Sequence, residues 1–180
     1  MENFSEAFFT AVGLIFAGDP ALWFIVYLSL KVSLSAVILA VILGVPLGAL
    51  LAITEFRCRN LIIVFINALM GLPPVVVGLC VYLLLSNSGP LGVLQLLYTP
   101  TAMIIAQTIL VTPIIAALSR EIVQGLHEEY RDQLLSLSLG KKHTLSVLLW
   151  DARYSLVVIS LAGFGRAIAE VGAVMIVGGN

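Results

Sequence analysis

The sequence SREIVQGLHEEYRDQLLSLSLGKKHTLSVLLWDAR, residues 119–153, is the one long charged segment of an otherwise apolar chain. Hydrophobic residues make up 61% of the 180 residues and charged residues 11%, and the mean hydropathy is +1.12. In a soluble domain about 25% of residues are charged. The composition therefore predicts an integral membrane protein in which residues 120–153 leave the bilayer and meet a soluble partner.

Several functional classes are disfavoured by the same composition. A net charge of -1 gives no basic surface of the density that nucleic acid requires. Cys58 and Cys80 have neither disulfide-like placement nor metal-ligand spacing. His127 and His143 form no catalytic cluster with nearby acids, and the phosphate-binding pattern GxxxxGK[ST] does not occur. We expect no catalytic site, no metal site and no nucleic-acid partner.

Hydropathy divides the chain into one transmembrane domain over residues 1–180. Residues 7–18 are apolar but too short to span, and we predict an interfacial helix there without a cleaved signal peptide. Four spans are predicted at about 22–53, 61–85, 101–118 and 154–177. Pro73 and Pro74 interrupt the second span, and in a membrane the backbone groups freed by such a break must face protein or a water-lined cavity.

Basic residues orient the chain. Seven of the nine Lys and Arg residues lie in the loops at 54–60 and 119–153. These loops fall on the same side of an alternating four-span topology, and positively charged loops face the cytoplasm. We therefore expect residues 120–153 in the cytoplasm and the N-terminus outside.

Within the charged segment, Tyr130, Leu134 and Leu137 follow the spacing i, i+4, i+7, which predicts an amphipathic helix over 127–139. Gly140 can end it in a left-handed conformation. A second short helix would begin near Thr144 and reach residue 150. Two interpretations remain open, a helix lying on the membrane surface and a docking element for a soluble protein.

This segment resembles the cytoplasmic coupling loop of permease subunits in binding-protein-dependent ABC importers, in which a short helix ends at a glycine. The motif's Glu-Ala-Ala positions are Leu134, Leu135 and Ser136 here. LPPVVVGL (72–79) and GFGRAIAEVGAVMIVGGN (163–180) are similar to the second and fourth core spans of molybdate and tungstate permeases, and SLKVSLSAVILAVILGVPLGALLA (29–52) to their first. The variant IAEVGA with GGN is closer to the tungstate branch.

The resemblance covers about residues 22–180 and implies an all-α, polytopic membrane helix bundle with a cytoplasmic coupling helix pair. Two permease copies would form the pathway for tungstate or molybdate in a bacterial or archaeal cytoplasmic membrane. A cytoplasmic ATP-binding subunit and an extracytoplasmic oxyanion-binding protein would be the partners, beside membrane lipid. No cofactor would be bound by this chain, with ATP and Mg on the partner ATPase.

The resemblance also assigns residues to the ATPase contact. Docking would use Tyr130, Leu134, Leu135, Leu137, Leu139, Gly140 and Lys141. Family members usually continue beyond the position of Asn180 into one more span, so we expect that a C-terminal span is missing from this sequence. Which oxyanion is carried stays open, because selection in this importer class lies mainly in the binding protein.

Arg166 and Glu170 are four residues apart and share a helix face about 18 Å into the fourth span. Charges at that depth need a partner or a cavity. They either neutralise each other or place Arg166 at the anion pathway or gate, with Glu170 holding it. Gly165, Ala169 and Ala173 form a small-residue strip, suited to a dimer interface or gate or to packing within one subunit. Pro73 and Pro74 are assigned to the same pathway region.

A secondary transporter or channel subunit for a small anion is the alternative function, because broken helices and buried ionisable residues also occur in that class. Such a protein needs no long cytoplasmic helix pair between spans. Copurification with a soluble ATPase discriminates between the two. A membrane scaffold is disfavoured by the buried charge of Arg166.

Overall fold

The computed structural model describes residue 13, residues 20–137 and residues 140–178. Within these residues the chain forms α-helices, one short 3-10 turn at Gly92–Leu94 and no strand. The helices are α1 (Pro20–Ile53), α2 (Arg59–Met70), α3 (Pro74–Leu85), α4 (Pro100–Glu129), α5 (Arg131–Ser136), α6 (Lys141–Asp151), α7 (Arg153–Ile168) and α8 (Gly172–Gly178). The all-α prediction is confirmed. The interfacial helix predicted at 7–18 lies outside the described residues apart from Gly13.

The two longest helices, α1 and α4, are packed along each other and form the frame of the bundle. α1 turns a stripe of small buried residues at four-residue spacing toward this contact: Ala36, Ala40, Gly44, Gly48 and Ala52. Small residues let two helix backbones approach closely without polar contacts. A side-chain carbon built at Gly44 would lie 3.0 Å from both Thr112 O and Ile115 Cγ2, so any side chain there would press on α4.

The span predicted at 61–85 is two helices rather than one kinked helix. α2 and α3 meet at an angle of 102°. Pro73 is extended (φ -60°, ψ 129°), and Pro74 is the first residue of α3. Proline has no backbone N–H. Its absence costs nothing at the first helical position, because the first N–H groups of a helix have no intrahelical acceptor. Pro74 therefore begins α3, whereas α2 already ends at Met70, before the prolines.

The third span, predicted at 101–118, belongs to a helix that continues to Glu129. Polar side chains support the extension from within: Arg120 Nη1 donates to Gln124 Oε1 at 2.9 Å, and Gln124 Nε2 donates to Glu128 Oε1 at 3.0 Å. The charged segment therefore leaves the apolar region as a direct continuation of α4. α4 also packs against α2, α3, α7 and α8, which makes it the central helix of the fold.

The fourth span, predicted at 154–177, is also interrupted. α7 ends at Ile168, and α8 begins at Gly172. α1 and α4 are each long and apolar enough to cross a membrane, and counting each of the bent pairs α2–α3 and α6–α7 as one span raises the number to four. The pair α6–α7 is bent by 69°.

Candidate functional site

The break between α7 and α8 carries an ion pair. Arg166 Nη1 lies 3.0 Å from Glu170 Oε2. The Glu170 side chain is 7% exposed, whereas the Arg166 side chain is 39% exposed. The structure thus joins the two residues that the sequence placed on one helix face, although the helix ends at Ile168, between them. A turn after Ile168 places the Glu170 side chain inside the bundle, where it pairs with Arg166.

The second oxygen of Glu170 accepts a hydrogen bond from the backbone N–H of Ala173 at 3.3 Å. Ala173 lies in the first turn of α8, where N–H groups have no partner within the helix. A carboxylate is favoured at that end of a helix by the backbone dipoles. Glu170 therefore binds both the guanidinium before the break and the helix that follows it.

The polar residue Gln107 on α4 completes this arrangement. Its side chain is 3% exposed, and Nε2 donates to the carbonyl oxygen of Ala167 at 3.1 Å. A cavity of about 280 Å³ opens beside it, and Ser29, Ser33, Gln107 and Glu170 supply its polar lining. Gln107 was not among the predicted site residues. The available signal was an amide inside an otherwise apolar span.

The strip Gly165, Ala169 and Ala173 is divided by the break. Gly165 and Ala169 are exposed on the subunit surface. Ala173 is buried against Gly78 of α3, where an added side-chain carbon would lie 2.9 Å from Ala173 Cα. The one continuous strip expected along the fourth span is therefore wrong. Close packing within the subunit accounts for Ala173, and the other two residues face outward.

The proline break lies next to the Glu170 break. A side-chain carbon built at Gly172 would lie 3.3 Å from Val75 Cγ2 and 3.5 Å from Glu170 Oε1. Val75 directly follows Pro74 in the first turn of α3. The structure thus brings together two interrupted helices that are far apart in sequence. Of the two prolines, Pro73 is exposed and Pro74 partly buried.

The predicted coupling segment folds into α5 and α6, held together by Tyr130. The Tyr130 hydroxyl donates to Asp151 Oδ2 at 2.8 Å. This hydrogen bond to the Asp151 carboxylate, with the charge of Asp151 behind it, raises the pKa of Tyr130 above its ordinary value. Asp151, which sequence analysis did not assign, thus ties the end of α6 to the junction of α4 and α5.

The leucines of this segment divide into two groups. Leu134 packs inward against a cluster that includes Tyr130, Leu145 and Leu149. Leu135 and Leu137 are 68% and 67% exposed. An open groove of about 500 Å³ runs between α5 and α6, lined by Tyr130, Gln133, Leu134, Leu137, Ser146, Val147, Trp150 and Asp151. Leu139 lies outside the described residues.

Gly140 and its neighbours differ from the predicted helix ends. The helix expected over 127–139 is divided at Tyr130, and α5 ends at Ser136. Gly140 has φ -67° and ψ 152°, which is extended rather than left-handed, and it precedes α6 instead of ending α5. Lys141 opens α6 and is exposed, so Thr144 lies inside the helix and does not cap it.

In the described part of the chain, His, Cys, Asp and Glu side chains are spread over several helices. Among those residues, no three His, Cys, Asp or Glu side chains are grouped so as to hold a metal ion. Cys58 and Cys80 are exposed free thiols.

The known proteins that this chain resembles are all permease components of transport systems. Residues 44–180 match the family described as binding-protein-dependent transport system inner membrane component. The tungstate uptake system permease protein TupB of Peptoclostridium acidaminophilum is 41% identical over the whole chain, which covers 79% of that protein. A probable anion ABC transporter permease protein of Haloferax volcanii is 42% identical over 91% of the chain and 72% of its own length. The sulfate transport system permease protein CysW of Escherichia coli is 28% identical over 90% of the chain and 58% of its own length.

These matches confirm the resemblance drawn from residues 72–79 and 163–180. The family match begins within α1 and includes every helix that follows. The end of α1, the whole of α4 and the charged helix pair that follows α4 fall within this match. The chain belongs to the family of binding-protein-dependent transport system inner membrane components.

Proposed function

We propose that this chain is the transmembrane permease subunit of an ABC importer that carries tungstate, or molybdate, across the cytoplasmic membrane. The observation that carries the proposal is the 41% identity, over the whole chain, with a tungstate uptake system permease protein. Identity with the sulfate permease is lower, at 28%. Because these substrates are all tetrahedral dianions, the relatives favour an oxyanion pathway as a class, with tungstate as its first candidate.

The assembly has two permease copies, two cytoplasmic ATP-binding subunits and an extracytoplasmic oxyanion-binding protein. ATP and Mg bind on the ATPase, and the permease itself performs no chemistry and binds no cofactor. The host is a bacterium or an archaeon, and the permease N-terminus lies outside the cytoplasmic membrane. The family's dependence on a binding protein supports the outer partner. The positive charge of residues 54–60 and 119–153 supports the orientation.

The exposed apolar surface of α5 and α6 supports ATPase docking there. Leu135, Leu137 and Trp150 are each more than two-thirds exposed, in a segment that also carries Lys141 and Lys142. Exposed apolar patches with a polar rim mark protein–protein or membrane contacts, and membership of a transport-system family favours a protein contact here. Gly140 and Lys141 lie at the turn into α6, and Tyr130 and Leu134 hold the pair together from within. Leu139 belongs to the same proposed contact.

Arg166 is the proposed anion contact of the pathway, with Glu170 as the residue that holds it. The partial exposure of its guanidinium supports this role, since the ion pair with Glu170 leaves further N–H donors available. Gly165 and Ala169 are exposed on the same part of α7 and would allow close approach of the second permease copy. Pro73 and Pro74 would shape the pathway wall at the break before α3, and Ala173 would support it from within by packing on Gly78.

The test is uptake in a strain that lacks its own oxyanion importers and expresses the permease with its ATPase and binding protein. We expect uptake of labelled tungstate that excess molybdate reduces and that excess sulfate reduces less. A preference for an uncharged sugar or an amino acid would refute the oxyanion assignment. A secondary transporter would continue uptake with an ATPase variant that cannot hydrolyse ATP, whereas the importer would stop.

A further inference from the structure

We propose that Gln107 is a positioning residue for transport, which fixes the break between α7 and α8 and thereby holds the Arg166–Glu170 pair in place. This inference rests on the proposed importer function. Gln107 lies on α4, 60 positions before the residue whose backbone it binds. Its role therefore depends on tertiary packing and is not local to the break.

The break frees a backbone carbonyl that Gln107 satisfies. In an uninterrupted helix the Ala167 oxygen would accept from the N–H of Val171. Here it accepts from Glu170 N at the longer distance of 3.3 Å and from Gln107 Nε2 at 3.1 Å. A backbone carbonyl without a good partner is costly in apolar surroundings, so the amide stabilises the broken form relative to a straight helix.

The chemistry of the bond also fixes the orientation of the amide. A carbonyl oxygen can only accept, so the NH₂ group of Gln107 must face Ala167. Its Oε1 then faces away and has no hydrogen-bond partner among the described residues. Gln107 borders the same cavity as Ser29, Ser33 and Glu170. The donor and not the acceptor of this amide is thus the part that holds the break.

Two side chains together hold the two ends of the break. Gln107 binds the carbonyl end of α7, and Glu170 binds the N–H end of α8 through Ala173. Glu170 can reach both Ala173 and Arg166 only if the chain turns between Ile168 and Gly172. Loss of the Gln107 donor therefore weakens the geometry that gives the Arg166 guanidinium its position.

The position of Gln107 on α4 connects the break to the coupling segment. α4 runs from Pro100 to Glu129 without interruption, and Tyr130 directly follows it. From Gln107 to Glu129 the helix rises about 33 Å. In the described part of the chain, the Gln107–Ala167 bond is the one side-chain hydrogen bond between α4 and the segment containing α7 and α8. A shift of α4 on ATPase docking would reach Arg166 through this contact.

The experiment measures uptake by the permease–ATPase complex in proteoliposomes with the binding protein, comparing Gln107→Leu, Gln107→Glu and the control Gln124→Leu. Gln124 is also a glutamine on α4, but its bonds stay within α4. We expect Gln107→Leu to lower the maximal uptake rate at least tenfold, with the half-saturating concentration of loaded binding protein and the basal ATPase rate within twofold of wild type. Gln124→Leu should transport at the wild-type rate, because leucine is a strong helix former and α4 keeps its extension without these side-chain bonds.

The difference between Gln107→Glu and Gln107→Leu separates a positioning role of the Gln107 hydrogen-bond donor from a packing role of its side chain. A protonated carboxyl can donate to Ala167 O, and burial favours the protonated form. At pH 6 we expect Gln107→Glu to transport at least fivefold faster than Gln107→Leu, and its rate relative to wild type should not fall as the pH is lowered from 8 to 6. If Gln107→Leu transports as fast as Gln107→Glu or faster at pH 6, Gln107 only fills space and the proposal is overturned. Wild-type uptake in the same assay tests the importer function separately.

Discussion

Glu170 is nearly buried, yet Arg166, whose Nη1 lies 3.0 Å from Glu170 Oε2, keeps 39% of its side chain exposed. An ion pair that served only to neutralise the two charges would be enclosed by protein on all sides, because a charge that faces lipid is costly. Arginine has five N–H donors, and one of them is used in this contact. The unequal exposure favours the interpretation in which Glu170 orients a guanidinium that faces out of the subunit.

Replacement of Glu170 should separate its two contacts. Glu170→Gln keeps an oxygen that can accept from Ala173 N–H, whereas Glu170→Ala removes both contacts. We expect Glu170→Ala to lower the free energy of unfolding by about 1–3 kcal/mol, the cost of leaving buried polar groups unpaired. Glu170→Gln should lose less than half of that. Thermal unfolding of the detergent-purified permease–ATPase complex measures both, and equal losses would show that Ala173 is held by other means.

Replacement of Arg166 tests its role in the pathway. We expect Arg166→Ala to abolish uptake and Arg166→Lys to retain part of it, because lysine keeps the charge but not the planar set of donors. The double variant Arg166→Ala/Glu170→Ala removes both charges and should remain inactive while still assembling with the ATPase. Recovery of uptake in the double variant would mean that Arg166 serves only to neutralise Glu170.

The exposed leucines of the coupling segment should carry ATPase docking. We expect Leu137→Asp to reduce the amount of ATPase that copurifies with the permease at least tenfold, equivalent to about 1.4 kcal/mol of binding free energy. Ser136→Asp is the matched control, since it adds the same charge on the neighbouring exposed residue of α5 without removing apolar surface. If both variants lose the ATPase equally, charge rather than apolar burial sets the contact.

The Tyr130–Asp151 contact gives a pH dependence. The pKa of Tyr130 is raised in the folded protein, so the folded state holds the phenolic proton more tightly than the unfolded state. The resulting stability is fully present below the ordinary tyrosine pKa of about 10 and is lost as the pH rises through the raised value. We expect wild type to unfold at a higher temperature than Tyr130→Phe at pH 8. The difference should shrink as the pH rises above about 10, and a constant difference in that range would contradict the assignment.

Hydropathy and loop charge were enough to predict an all-helical membrane protein with a charged segment outside the bilayer. They did not locate the helix ends, because an apolar span and a helix need not have the same length. α4 continues from the apolar residues through Arg120 to Glu129, since this stretch contains no proline and its polar side chains bond along the helix. A hydropathy boundary at residue 118 therefore marked the end of the apolar residues only.

Sequence patterns could not predict the break between α7 and α8, for a different reason. Residues 163–180 contain no proline, and Arg166 and Glu170 have the spacing of an ordinary helical pair. The contacts that hold the break come from Gln107 and from the packing of Ala173 on Gly78, both distant in sequence. Periodicity within one segment carries no information about such partners, so Arg166 and Glu170 were found and the broken geometry around them was not.

Gly48 provides a test of the α1–α4 frame. A side-chain carbon built at Gly48 would overlap Ala116 O and lie 2.9 Å from Arg120 N, both backbone atoms that cannot rotate away. Gly48→Ala must therefore push α1 from α4, and we expect it to lower the free energy of unfolding by about 1–3 kcal/mol. Gly125→Ala is the matched control on α4, since nothing lies within 4 Å of the added carbon. It should raise stability by about 0.5–1 kcal/mol, because alanine favours the helix. Chemical unfolding of both variants measures the difference, and a Gly48→Ala variant as stable as wild type would place the close contact between these helices elsewhere.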